Sequence, residues 1–427
     1  MSFNILTSRK LMLASAVASS MLLTACGSDS DDTNYGAFSY SGEQADATLD
    51  SSTFAVFSTS ASYDASSLSY GDTEDRELST ALSSSETNFG ISAFDNKLFY
   101  LDRTNGIVSQ YNVSSDNGVT DWLWQASVND IESDDIANPY TVVKQDDSTA
   151  WVINYGSDHA IQINTDATKA SEFRLTEFDL SDYTVEGATY PRMSDAVIYN
   201  DTLFVVMQRL DAYWSPSTAY IAAIDLTTLE EIDTDTSTDG LKGIALNITN
   251  PGTLEVHNGM LYVSGHGPYY SNSGVGVDMI DATTYEVTSL VDNTTLAALN
   301  DESGDTAIYY HINDVEPVSD SNVYFTVNME QGYTTVNTFL YQVDPTSSDA
   351  PVQVDIASGL NSDTTLAAND ELVLGDLEKD SDSRLWVGVK NSDNPGLLVL
   401  DTDTNTQNNE YVELELLPSK IVILNAE

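Results

Sequence analysis

The sequence predicts an all-β protein, a seven-bladed β-propeller of four-stranded antiparallel blades, closed by a C-terminal strand that pairs with the N-terminal blade. Three observations carry this. A strand-and-turn unit recurs seven times along the chain. Segments rich in Val, Ile, Tyr and Thr alternate with Gly, Asn, Asp and Ser turns, and no long helical period survives between them. The last unit is followed by a lone apolar strand while the first lacks one, which is the complementarity that ring closure requires.

Residues 1–25 stand outside the repeat. Arg9 and Lys10 precede an apolar, small-residue run from Leu11 to Leu23. It is too short for a stable spanning helix and reads as the core of a signal peptide. The run ends in Leu23-Thr24-Ala25-Cys26, which resembles the lipobox of bacterial lipoproteins. Small residues let the peptidase reach the bond, and the Cys26 thiol takes the diacylglycerol. Cys26 is the only cysteine, so the chain has no internal disulfide and the thiol's task lies elsewhere. Gly27 follows, where Asp would favour inner-membrane retention in lipoproteins of the proteobacterial type. The resemblance therefore implies a lipid anchor in the outer membrane, with the periplasmic or surface-exposed side left open. Ser28 to Tyr35 is too polar and acidic to order itself. Ser28-Asp29-Ser30-Asp31-Asp32 resembles the acidic surface-export tags of some lipoproteins. The expected organisation is a signal peptide over 1–25, an acylated Cys and flexible acidic tether over 26–39, and the propeller over 40–427.

Within the propeller an aliphatic residue, usually followed by an aromatic, opens one strand of each unit. The pairs are Val56-Phe57, Leu98-Phe99, Ala150-Trp151, Leu203-Phe204, Leu261-Tyr262, Val323-Tyr324 and Leu385-Trp386. A second strand ends at Asp72, Asn112, Asn164, Asp225, Asp281, Asp344 and Asp401. Several of these open Asp-x-x-Thr turns, as in Asp225–Thr228, Asp281–Thr284 and Asp401–Thr404. A carboxylate suits that place because it accepts hydrogen bonds from amides two or three residues on. Lys420-Ile421-Val422-Ile423-Leu424 is the lone closing strand.

The segments Tyr220–Thr228 and Val277–Thr284 resemble the V-x-V-I-D-x-x-T strand and turn of seven-bladed YVTN and NHL-type propellers. Asp380-Ser381-Asp382-Ser383-Arg384-Leu385-Trp386-Val387-Gly388 resembles the D-x-D-G-x-L-W-V-G segment of related repeats. The resemblance implies a fold and no activity, because propellers host binders, scaffolds and enzymes alike.

Composition narrows the partners. The formal charge is −52, with 67 acidic and 15 basic residues, and removal of Arg9 and Lys10 with the leader takes it to −54. Coulomb repulsion excludes nucleic acid and anionic headgroups as partners. The apolar fraction of 41% is that of a folded protein, and a strongly acidic surface suits a salty medium that screens it.

In a meander, the turns between the second and third strands of each blade (b–c) share one rim with the crossovers between blades. The spacing from repeat aromatic to repeat Asp or Asn measures the b–c excursion. It is 13 to 15 residues in units one to three and seven, and 19 to 21 in units four to six. Three consecutive blades are thus expected to raise a wall on this rim. The wall carries Arg209, Tyr213 and Trp214, then His266, Tyr269 and Tyr270, then Met329, Glu330 and Tyr333. Crossovers add Tyr190, Arg192, Tyr309, Tyr310 and His311. Large rings in long loops suit recognition, and the two arginines suit a ligand carboxylate or phosphate. The expected ligand site is therefore Arg192, Arg209, Tyr213, Trp214, His266, Tyr269, Tyr270, Tyr310, His311 and Tyr333. Internal salt bridging of the arginines to Asp211 or Asp195 is the competing use.

His159, His266 and His311 should face this rim and His257 the opposite one, but no short ligand spacing assigns a metal. Asp233 to Gly240 and Asp401 to Asn405 resemble calcium loops superficially and lack the bidentate Glu of an EF-hand. No nucleophile elbow, phosphate-binding Gly loop or zinc-protease motif is present. His266 with Glu330, and Asp158 with His159, are acid–base neighbours of a kind that so acidic a chain produces by chance. The reading assigns no catalytic residue, metal or cofactor. It expects an envelope protein that binds a small molecule or peptide and hands it to an outer-membrane transporter. A scaffold in an envelope assembly and a lactonase- or quinoprotein-like enzyme are the alternatives.

Overall fold

The computed structural model describes residues 36–42, 49–114, 118–131, 135–235, 240–299, 308–356, 372–408 and 411–425. Cys26, Gly27 and the segment before them lie outside these residues. The chain forms seven antiparallel sheets of four strands, labelled a to d from the axis outward, and three of the sheets carry one extra edge strand. The innermost strands are Leu417–Leu424, Phe89–Phe94, Pro139–Lys144, Met193–Tyr199, Pro251–His257, Ile308–Ser319 and Leu374–Lys379, for blades one to seven. Each packs against the innermost strands of both neighbouring blades, so the ring is closed.

Closure occurs in blade one, as the sequence predicts. Leu417–Leu424 pairs antiparallel with Thr53–Thr59, bringing Leu424 opposite Thr53 and Ile421 opposite Val56. At the other end of the chain, Phe38–Tyr40 adds an outer strand to blade two, with Phe38 opposite Ala126. Strand structure therefore begins just ahead of the expected boundary at residue 40.

The aliphatic–aromatic pair follows from the period of two. Successive side chains of a strand point to opposite faces, and both faces of a blade are covered. Leu98 faces blade one and Phe99 faces blade three. Ala150 and Trp151, Leu203 and Phe204, and Leu385 and Trp386 divide in the same way. The first unit departs from the expected register. Thr53 pairs with Asp72 as Thr202 pairs with Asp225, so the equivalent pair is Phe54-Ala55, two residues before Val56-Phe57. There the aromatic takes the aliphatic's face and packs 4.7 Å from Trp386, leaving Ala55 toward blade two.

The turn acids act as expected. Asp225 Oδ1 accepts the amides of Thr227 and Thr228, and Asp281 Oδ1 those of Thr283 and Thr284. Asp401 Oδ1 is used likewise by Asp403 and Thr404. The Asp380 segment has a structural role too. Its buried carboxylate accepts from Arg384 Nε at 2.6 Å and Trp386 Nε1 at 2.8 Å, tying the a–b turn of blade seven to the blade core.

Around the axis runs a set of ties between blades that hairpin reasoning does not reveal. Ser92 Oγ accepts the Val142 amide, and Asp195 the Leu254 amide. Asp314 accepts the Leu377 amide at 2.7 Å, and Asp376 the Ile421 amide at 2.7 Å. Each side chain satisfies a donor on the innermost strand of the next blade, where the sheets splay too far apart for backbone pairing.

Candidate functional site

The b–c rim holds two aromatic groups, built from loops that differ in kind. In blades four and five the extra length is true loop, between Met207 and Tyr220 and between Gly265 and Gly276. In blade six it is strand: Asn322–Gln331 and Thr334–Val343 run ten residues each and turn at Gly332 and Tyr333.

The first group surrounds Arg192. Its guanidinium lies 5.0 Å from the Trp214 ring, 5.2 Å from Tyr155 and 5.9 Å from Tyr190. Tyr155 stacks on Tyr140 at 4.6 Å, and Arg103 covers Tyr140 at 3.8 Å. Cations and rings thus alternate from blade two to blade four. Buried Arg192 Nε has no hydrogen-bond partner among the described residues, and no bridge to Asp195 or Asp211 forms. Asp195 is turned to the Leu254 amide and Asp211 caps its own loop at Tyr213 and Ser215.

The second group lies across blades five and six. Tyr333 stands 5.5 Å from Tyr269 and 5.1 Å from Tyr270, and Tyr270 is 5.9 Å from Tyr309. Tyr269 lies 4.9 Å from His266. These rings are unusually open, with Tyr333 75% exposed and Trp214 61% exposed. Burial, chiefly, and then the neighbouring Tyr140 push the Tyr155 hydroxyl well above the usual range.

Beneath the second group, His266 and His311 stack in parallel, 4.2 Å between centroids and 1° between planes. Glu330 faces both Nε2 atoms, at 3.7 Å from His266 and 3.8 Å from His311. His311 Nδ1 is 2.6 Å from the His266 carbonyl oxygen, and burial with the adjacent His266 lowers its pKa. Burial would raise the Glu330 carboxyl, but the neighbouring His266, His311 and Asn328 side chains together hold the group below its ordinary value.

Not every expected residue joins these groups. Arg209 donates to the carbonyls of Tyr183 and Thr218 and covers Tyr220 at 4.9 Å, so it braces its own loop. Tyr310 packs against the core between blades five and six. Tyr213 projects from the loop, 88% exposed. His159 pairs with Asp158 at 2.6 Å, away from the other histidines, and His257 bonds Asp320 on the opposite rim. Short ligand spacing is absent, yet His266, His311 and Glu330 converge, because two strands of blade six and the loop that begins just after a strand of blade five supply them. Arg103, Tyr140 and Tyr155 escaped sequence reasoning, which followed hairpin length. A signal existed: Arg103, Tyr155, Gln208 and His266 each stand four residues beyond the repeat aromatics Phe99, Trp151, Phe204 and Tyr262. An even offset along a strand keeps them on one face and carries them to the rim.

The axis itself is densely charged. Asp314 is pushed up to about 7 by burial and then by Asp376, against the pull of Lys420. Burial raises Asp195 to about 6. Glu255 and Glu378 are raised well above their ordinary value, first by burial and then by Glu316.

The fold defines the chain as a seven-bladed β-propeller. No protein-family model and no curated protein matches its sequence. Solved structures match the fold. The periplasmic gluconolactonase of Pseudomonas aeruginosa is 11% identical with a TM-score of 0.54, covering 88% of this chain and 99% of its own. A 6-phosphogluconolactonase-like protein of Bacteroides uniformis is 10% identical with a TM-score of 0.53, over 88% of this chain and 100% of its own. A Lactobacillus plantarum protein is 13% identical with a TM-score of 0.52, over 88% and 99%. At such identities the likeness is one of fold.

Proposed function

We propose that this chain is an envelope lipoprotein of the YVTN/NHL-like propeller kind that captures a small molecule or peptide on the b–c rim. The observation that carries the reading is the pair of aromatic groups on the b–c rim, with Trp214 and Tyr333 open to solvent and a guanidinium set among the rings of the first. Rigid aromatic area binds at low entropic cost, and Arg192 suits a carboxylate or phosphate on the ligand. Cys26 would anchor the protein in the outer membrane, and a transporter there is the natural recipient of the ligand. A lactonase reading draws support from the fold shared with the gluconolactonase, and His266, His311 and Glu330 are the groups it would use.

The test is ligand capture from concentrated culture medium and envelope extract, identified by mass spectrometry. Wild type should retain a defined compound. Trp214→Ala and Tyr333→Ala should each weaken its binding by about 2 kcal/mol, roughly thirtyfold, with the fold intact. Retention unchanged in both variants, or no retained compound at all, would refute the binding site. Hydrolysis of gluconolactone by wild type, lost in Glu330→Gln, would move the assignment to the enzyme.

A further inference from the structure

We propose that His266, His311 and Glu330 form a binding site for a divalent transition metal ion of the zinc type, with one coordination position open toward Tyr269. One potential ligand atom from each of the three residues lies within 4.8 Å of the other two. The tautomers follow from the partners of the other ring nitrogens. His311 Nδ1 donates to the His266 carbonyl at 2.6 Å, and His266 Nδ1 to the Gly267 carbonyl at 3.1 Å. Both Nε2 atoms therefore present lone pairs, and both face the Glu330 carboxylate. Three acceptors meet with no donor between them, an arrangement that favours a cation.

Glu330 supplies an independent sign. It is only 6% exposed, and its Oε2 is buried without a hydrogen-bond partner among the described residues. A buried carboxylate oxygen left unmatched is costly, and a metal ion would satisfy it. The spacings fit as well. Bonds of 2.0–2.2 Å in a tetrahedron place ligand atoms about 3.4 Å apart, near the 3.7 Å from His266 Nε2 to Glu330 Oε1 and the 3.8 Å from His311 Nε2 to Glu330 Oε2, and a turn of the carboxylate would set one oxygen toward both. The parallel rings must splay by rotation about their Cβ–Cγ bonds to bring both lone pairs onto one ion.

The donor set selects the metal. Two imidazoles and one carboxylate suit zinc or cobalt, whereas calcium and magnesium prefer all-oxygen shells. The ligands sit on or beside paired strands, since Tyr309 is opposite Glu330 and His311 opposite Asn328. Carbonyl groups hold both Nδ1 atoms, which is how ligating histidines are ordinarily oriented. Tyr269 and Tyr309, at 6.4 and 6.5 Å from the His311 ring, border the open side. The site does not depend on the rim taking an organic ligand.

The experiment titrates cobalt(II) into the chelator-stripped full-length protein, with excess magnesium to occupy the loose sites of so acidic a surface. One equivalent should produce the visible absorption of four-coordinate cobalt, and one equivalent of zinc should abolish it. His266→Ala and Glu330→Gln should lose the spectrum and bind zinc at least tenfold more weakly, with unchanged circular dichroism. His311→Ala should do the same, and because His311 is buried the other two variants keep the test decisive if it fails to fold. The absence of a saturable one-to-one cobalt spectrum would overturn the proposal. So would zinc affinity that is unchanged in folded His266→Ala and Glu330→Gln.

Discussion

Single residues around the axis carry more of this protein's behaviour than their number suggests. Asp314 is 3% exposed, and its carboxylate serves two blades by accepting from Thr253 Oγ1 at 2.6 Å and the Leu377 amide at 2.7 Å. Burial and Asp376 nevertheless raise its pKa to about 7, with Lys420 opposing. The unfolded chain releases this proton near pH 3.8 while the folded chain keeps it to about 7. The contribution to stability is therefore full below pH 3.8 and is lost as pH rises toward 7. Asp314→Asn cannot titrate. Its stability relative to wild type should improve with pH across that window, approaching about 1.4 kcal/mol per pH unit. Urea melts at pH 4.5, 5.5 and 6.5 measure this, and a pH-independent difference between the two proteins would show that Asp314 stays ionised throughout.

At the scale of elements, the closing strand holds the ring. Ile421 and Leu424 are fully buried, one against blade seven and the other against blade two, and Ile421 also receives the tie from Asp376. Truncation after Pro418 removes that strand from the axis and bares the edge of Thr53–Thr59. The loss is roughly 1.5–3 kcal/mol for each fully buried side chain, together with the backbone pairs. The truncated chain should melt far below the intact one or fail to accumulate folded. An unchanged melting temperature would mean that blade one closes without this strand.

For the whole molecule, charge and anchoring set the terms. The few bases are largely spent inside. Lys379 pairs with Glu316, Lys420 with Asp376, Arg384 with Asp380 and Arg174 with Glu177. Each pair is neutral, so the formal charge of −52 stands as an unpaired acidic excess, and an anionic membrane would repel it. The proposed acyl anchor answers that repulsion. Cys26→Ser should shift the protein from the membrane to the soluble fraction while its melting temperature stays the same. Persistence in the membrane fraction would show that another feature holds it there.

What the sequence determined by itself was what depends on neighbours along the chain. A period of two, forced by burial on both faces of a blade, makes pairs such as Leu203-Phe204 and Leu385-Trp386 visible. Asp225 and Asp281 announce their turns because the amides they cap lie two and three residues on. Even so, the local pattern misled in the first unit, where packing on Trp386 puts the aromatic at Phe54. The site followed a different rule. The hairpins with Trp214, Tyr269, Tyr270 and Tyr333 could be read from their length, but the neighbours of Arg192, the bracing of Arg209 and the meeting of His266, His311 and Glu330 could not. His266 and His311 are 45 residues apart and belong to different blades. Only the angular spacing of rigid sheets about a closed axis brings them together, and that spacing is set by apolar packing between blades rather than by any local run of residues.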